Sequence, residues 1–261
     1  TSELYSDTTN ANYGLGKGLK FHSAADHNIA IGENALNSTG DDADFNIGIG
    51  TDALTAITTA DGAVAIGHQS LAALTTAAGN VAIGYQSQAS NADSSSHWNT
   101  SLGYQTMSDG SSHFAGNTAI GYQSLKAITQ GDDNVAVGRA SGIALLTGSL
   151  NVFIGRDAGT ATTDVDSSVI IGFRAGYADM TDGADGTIAI GHTALTALTS
   201  GASNTAIGYQ AGQALTTGGS NTLVGNQAGY SMDTANTNAI ECTYIGDVSG
   251  RYMDDGINNV G

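Results

Sequence analysis

The chain contains no proline, one cysteine and only seven basic residues against 24 acidic ones, for a formal net charge of −17. Each scarcity excludes something. A lone Cys242 leaves no disulfide framework. So few Lys and Arg cannot supply the clustered cations that displace counterions from a phosphate backbone, so nucleic acid is excluded as a partner. An anionic membrane surface is disfavoured for the same reason. No uninterrupted apolar run approaches the ~20 residues of a membrane helix, so membrane insertion is not expected. The opening segment Thr1-Ser2-Glu3-Leu4-Tyr5-Ser6-Asp7 has neither a basic n-region nor an apolar h-region. No secretion signal is read there, and Thr1 is expected to mark a processed chain or a fragment.

Glycine is what the chain has in abundance, 37 of 261 residues. Disorder would suit that number, but 40% hydrophobic residues in regular positions argue against it. The regularity is a cassette of the form Asn-Val/Thr/Ile-Ala-Ile-Gly. Its glycine falls at Gly32, Gly50, Gly67, Gly84, Gly103, Gly121, Gly138, Gly155, Gly172, Gly191, Gly208, Gly225 and Gly246, at intervals of 17 to 19 residues with a last one of 21. A weaker copy stands at Asn12-Tyr13-Gly14-Leu15-Gly16, and another begins at Asn259-Val260-Gly261.

Positions are numbered here from the cassette glycine. Position −3 is Val, Ile or Thr in all thirteen copies and position −1 is Ile, Val or Leu. β-Branched residues favour extended backbone, so each cassette reads as a short strand. Alternation puts −3 and −1 on one face, with the small −2 residue and the glycine on the other. The aliphatic face is expected to be the core. The bare face, with Ala119 and Ala206 as examples, is expected to meet a neighbouring chain. Asn occupies −4 in nine copies, where it suits a coil corner and can ladder along a stack. Cys242 takes that place in the last copy and reads as a small substitute.

A period near 17 is too short for helical repeats and fits one coil of a β-solenoid: strand, turn, second short strand, return. Thirteen coils rising by about 4.8 Å would make a rod on the order of 60 Å long. Two aliphatic side chains per coil are a thin core for so many ordered residues. A parallel side-by-side assembly would remedy that, and three chains form the simplest closed bundle. The expected partners are therefore two further copies of the chain. The segments expected are a lead-in over 1–27 with one degenerate coil, a solenoid over 28–250, and a tail or further coil over 251–261.

Strings such as Asn80-Val81-Ala82-Ile83-Gly84-Tyr85-Gln86-Ser87 and Asn204-Thr205-Ala206-Ile207-Gly208-Tyr209-Gln210-Ala211-Gly212 resemble known repeats. They are similar to the head repeats of trimeric autotransporter adhesins, and the Tyr-Gln-Ala-Gly version resembles phage tail-fibre repeats still more. The resemblance runs from about Asn28 to Gly250. It implies an all-β, left-handed parallel β-roll, with three chains side by side. It further implies a non-enzymatic, adhesive fibre segment of a virion that reaches a host-surface glycan or protein receptor. The head of a bacterial surface adhesin, exposed on the cell, is the alternative. The return loops are longer than in adhesin heads, and no anchor segment or coiled-coil stalk is read in the chain. A glycan-cleaving spike is the third class, since acid pairs occur at Asp41-Asp42, Asp132-Asp133 and Asp254-Asp255.

Signals for other chemistry are sparse. His22, His27, His68, His97, His113 and His192 show no metal-binding spacing. No cofactor is expected. Calcium is not predicted either, although Asp41-Asp42-Ala43-Asp44, Thr162-Thr163-Asp164-Val165-Asp166, and Asp179 with Asp182 and Asp185 gather hard oxygen ligands in return loops. Ice binding would need a regular Thr file, which only some copies offer. The candidate ligand site lies in two longer returns, Ser94-Ser95-Ser96-His97-Trp98 and Ser111-Ser112-His113-Phe114. Each pairs an imidazole with a large aromatic after a serine run. Stacked coils would bring His97, Trp98, His113 and Phe114 together, with rings to stack a sugar and polar groups to bond its edges.

Overall fold

The computed structural model describes residues 3–7, 11–18, 25–37, 42–232 and 240–252. His22, Asp41, the Asp254-Asp255 pair and the partial copy at Asn259-Val260-Gly261 lie outside the described residues. The chain divides into two compact units, Thr1–Asp132 and Asp133–Gly261.

In the first unit the strands are β1 (Glu3–Asp7), β2 (Asn12–Gly16), β3 (Ile29–Ile31), β4 (Ile47–Ile49), β5 (Val64–Ile66), β6 (Val81–Ile83), β7 (Thr100–Leu102) and β8 (Thr118–Ile120). From β2 onward each pairs in parallel with the next, cassette upon cassette, as in Val64↔Val81, Ala65↔Ala82 and Ile66↔Ile83. The weak copy at Asn12–Gly16 is thus a coil strand, Tyr13 facing Ile29. β1 pairs antiparallel with β2 and covers the open edge of the stack, where unpaired backbone groups would invite other strands. The second unit holds β9 (Val135–Val137), β10 (Val152–Ile154), β11 (Val169–Ile171), β12 (Ile188–Ile190), β13 (Thr205–Ile207), β14 (Thr222–Val224) and β15 (Thr243–Ile245), parallel in chain order. The only helical element described is a single 3₁₀ turn, Asp182–Ala184. The cassettes make about thirteen turns of an all-β parallel β-solenoid.

Among the described residues each coil has one three-residue strand, not the expected two. The rest of the coil is turns, yet these stack by backbone bonds as the strands do. Gln86 N–H donates to His68 O (2.9 Å), Leu71 N–H to Ser87 O (3.0 Å) and Gly79 N–H to Asp61 O (3.0 Å).

Inside and outside are the reverse of the sequence expectation. The −2 residues Ala30, Ala65, Ala82, Ala119, Ala136, Ala189 and Ala206 are wholly buried, while −3 and −1 are half-buried or exposed. A coil this narrow has room for few side chains, and larger ones enter from positions the strand pattern does not mark. Leu54 with Ile57, Leu71 with Leu74, and Leu125 with Ile128 fill the interior from +4 and +7. Volume is exchanged within a coil. Where −2 is Ala, +4 is leucine in four copies (Leu36, Leu71, Leu125 and Leu195), while Ala82, Ala136 and Ala206 are followed by Gln88, Gly142 and Gly212, the last beneath Leu195 and Leu223 of the adjacent coils. Where −2 is large, as at Phe153, Ile170, Leu223 and Tyr244, +4 is Gly159, Gly176, Gly229 and Gly250. A Cβ on Gly229 would lie 2.9 Å from Leu223 Cδ2. Close packing leaves space for one large group of the pair.

Buried asparagines run along one edge of this core. Asn46 N–H donates to Asn28 Oδ1 (2.8 Å), and the Asn46 side-chain amide donates to Ala60 O (2.9 Å). Asn99 and Asn117 continue the file in the first unit. In the second, Asn151 N–H donates to Asn134 Oδ1 (3.0 Å), Asn221 N–H to Asn204 Oδ1 (3.1 Å) and Cys242 N–H to Asn221 Oδ1 (2.9 Å). The left-handed corner is one residue earlier. Position −5 has positive φ in every copy, from Gly62 and Gly79 to Trp98 (58°) and Leu150 (61°).

The cassette glycine is fixed by stacking. Its φ lies between 126° and 144° in all thirteen copies. A Cβ on Gly138 would lie 2.6 Å from Gly155 O of the coil above. Gly138→Ala should therefore cost at least about 2 kcal/mol in denaturant unfolding, from backbone strain and the clash together. Leu150→Gly, at an exposed left-handed position, should instead raise stability by up to about 1 kcal/mol. Equal melting of both variants would contradict this account.

Ala119→Leu or Ala206→Leu adds volume to a filled interior. Each should destabilise the coil itself by roughly 1–3 kcal/mol, read as a lowered Tm whatever the state of assembly.

Candidate functional site

The four residues singled out from the sequence do not form one aromatic site. Phe114 is wholly buried, beneath Gly110, and its carbonyl accepts from the Asn99 amide at 2.8 Å. It is a core side chain, placed inward by the same volume limit that governs the other coils, and offers no face to a sugar. Trp98 is the opposite case, 71% exposed. Its −5 neighbours in the stack are Gly79 and Gly116, and a Cβ on Gly79 would lie 2.9 Å from the indole Cδ1. The ring therefore lies over a place with no side chain of its own.

His97 stands beside it, ring centroids 5.4 Å apart. Its Nδ1 accepts from Ala78 N–H at 2.8 Å, so Nδ1 carries no proton and Nε2 is the nitrogen left to donate. Other coils use a carboxylate in this role. Asp44 N–H donates to Asp61 Oδ1 (2.8 Å), Ala115 N–H to Asp132 Oδ1 (2.7 Å), Ser149 N–H to Asp166 Oδ1 (2.7 Å) and Asp166 N–H to Asp185 Oδ1 (2.8 Å). Several of the acids considered as calcium ligands thus serve as side-chain rungs between coils. Among the described residues no group of three or more His, Cys, Asp or Glu is placed to hold a metal ion. His113 pairs through Nε2 with Asp132 Oδ2 at 3.4 Å. The Ser95 hydroxyl and amide, with smaller help from His113 and His97, hold the Asp93 carboxyl below its ordinary range.

The larger feature is the outer sheet face, whose polarity the alternation pattern left reversed. In the first unit it carries Ile29, Ile31, Leu102 and Ile120, and in the second Ile154, Ile207 and Ile245, all exposed. An apolar file this continuous is unusual on a free surface. Beside it runs position +1. His68, Tyr85, Tyr104 and Tyr122 stack at 5.3, 5.1 and 5.3 Å with interplanar angles of 9°, 8° and 5°. At +2 the amides ladder: Gln86 Nε2 donates to Gln69 Oε1 (2.8 Å), Gln105 to Gln86 (2.9 Å) and Gln123 to Gln105 (2.9 Å). In the second unit His192 stacks on Tyr209 at 5.2 Å and Gln227 donates to Gln210 at 2.7 Å. The recurrence of Tyr-Gln after the glycine was the sequence signal for both ladders.

Trp98 is the only tryptophan, so its fluorescence reports this point alone. Acrylamide should quench it readily in the folded protein. A glycan that stacks on the indole should protect it, and Trp98→Gly should lose that glycan without lowering Tm. Phe114→Ala should cost about 3–5 kcal/mol, as a cavity does in a packed core. Comparison with protein-family models, curated proteins and solved structures finds no match for this chain.

Proposed function

We propose that the chain is a non-enzymatic structural and adhesive segment of a phage tail fibre, the shaft or receptor-reaching region, carried on the virion. Three copies associate side by side as a left-handed β-roll. The observation that carries the reading is the exposed aliphatic file at −3 and −1, flanked by the stacked rings at +1. Such a face is stable in water chiefly when covered, and parallel copies of a periodic surface cover one another coil by coil. Tyrosine at its margin suits an interface, apolar in body and polar at the tip. The likeness of the cassettes to fibre and adhesin-head repeats supports both the handedness and the number of chains. It equally supports the head of a cell-surface adhesin, which would assemble in the same way. The fibre's tip or flank would then meet a host-surface glycan or protein, with the exposed Trp98 and the half-buried His97 as the candidate contact.

Native mass is the direct test. The parent chain is expected at three times its 26.1 kDa, and a mass of one chain overturns the trimer. Ile120→Lys with Ile207→Lys should yield folded single chains, because a charge on the outer file is buried without a partner in the assembly. Each copy carries a formal charge of −17, so added salt should strengthen the association.

A further inference from the structure

We infer that the second unit carries a binding site for an oxyanion, a carboxylate or phosphate group borne on an acidic polymer, built from Arg156 and Arg174 around Phe173 and Tyr177, with Arg139 at +1 of the coil before. The chain holds only seven basic residues, and three of them fall at +1 or +2 of successive coils, where other coils carry Tyr and Gln. All three are exposed. Arg156 lies over the Phe173 ring with its guanidinium carbon 5.1 Å from the centroid. Arg174 stands 5.3 Å from Phe173 and 5.0 Å from Tyr177. Two guanidiniums thus lie within cation–π distance of aromatic rings, which restrains where they sit.

The counter-ion is a single carboxylate. Asp157, its side chain 10% exposed, meets Arg156 Nε at 3.2 Å and Arg174 Nε at 3.9 Å. Both contacts use Nε, the inner donor of the fork, and both go to the same oxygen, Oδ2. Two guanidiniums against one carboxylate leave a local excess of positive charge. The acids of the return loops are farther along the coil, and screening over about 8 Å at physiological salt weakens their opposing field. The terminal nitrogens of a guanidinium form a planar fork that matches a carboxylate or a phosphate bidentately. Successive coils repeat that fork at the coil spacing, so a polymer with regularly placed anionic groups fits better than a single ion.

The inference deepens the adhesive reading, on which it rests for the polymeric partner, but it can fail separately. The full chain is passed over immobilised polygalacturonate, its neutral methyl ester, and polyphosphate, with native mass and Tm measured on the same samples. Retention is expected on at least one anionic matrix, absent on the ester and weakening as salt rises. The stronger of the two matrices tells carboxylate from phosphate. Arg156→Gln with Arg174→Gln should reduce affinity at least tenfold at unchanged Tm and mass. Arg251→Gln should bind as the parent does, although Arg251 also packs on aromatic rings, Tyr230 at 5.5 Å and Tyr252 at 5.1 Å. The site is overturned if the parent is retained on neither anionic matrix, or if the ester retains it equally. An unaffected double variant overturns it too, as does an equal loss in Arg251→Gln. A changed mass in the double variant also overturns it, making the arginines contacts between copies. A single-chain mass for the parent would refute the trimer and leave the oxyanion result to be read by itself.

Discussion

Everything in this molecule follows from one demand: each coil must sit on the next with its backbone hydrogen bonds satisfied around the whole circuit. The strand supplies three residues of pairing per coil, and the remaining amides have no other regular partner. They find one only if equivalent residues stand above one another, as Gln86 N–H on His68 O and Gly79 N–H on Asp61 O do. That need accounts for the absence of proline, which would remove a donor from a ladder in which almost every donor is used. It also accounts for the cassette glycine, whose Cα sits so near the next coil's carbonyl that no side chain fits. The buried asparagines answer the same demand where the chain turns and backbone alone cannot. Asn46 is typical: its side-chain amide donates to Ala60 O and its Oδ1 accepts from Ala63 N–H, both of the coil that follows.

The periodicity, the strand positions, the one-sided alternation and the asparagine file were all legible in the sequence. Which side faces in was not. Period-two alternation separates two faces but carries no label, and bulk on −3 and −1 suggested the core. The deciding quantity is volume, and it is visible only across the coil. An interior that takes Leu71 from +4 has space for no more than Ala65 at −2, and one that takes Phe153 at −2 needs Gly159 at +4. That exclusion, by which −2 and +4 are never both large, was present in the sequence, six residues apart. It reads as a core only once the return is known to fold back over the strand. The same ignorance placed Phe114 on the surface with Trp98. Both follow a serine run and a histidine, yet one falls at the outward left-handed corner and the other just before it, pointing in.

Charge was legible in amount but not in use. Acids clustered in the return loops look like cation ligands when read along the chain. Read along the stack they are rungs, Asp61 on Asp44 and Asp185 on Asp166, each carboxylate accepting an amide of the coil before. His97 takes the same rung through Nδ1. With 24 acidic residues against seven basic ones, the chain is strongly acidic overall. Against that background a few guanidiniums held on aromatic rings matter more than their number suggests.

The positions that stacking fixes and those it leaves free divide the chain between scaffold and specificity. Positions −4, 0 and +3 are constrained by a bond, a close approach or a small buried volume, and they vary little from coil to coil. Positions −5, +1 and +2 are constrained mainly in backbone, so their side chains differ: Trp98 among glycines, Arg156 and Arg174 among tyrosines and glutamines. At −5 glycine would relieve a left-handed strain of about 1–2 kcal/mol, yet the chain places its only tryptophan there. Nine of the thirteen −5 residues are not glycine, and Trp98, exposed between Gly79 and Gly116, is the one among them where the proposed glycan contact would fall. Arginines at +1 and +2 likewise stand where the proposed oxyanion contact would fall. The rings and amides that ladder elsewhere would have served the stack at least as well.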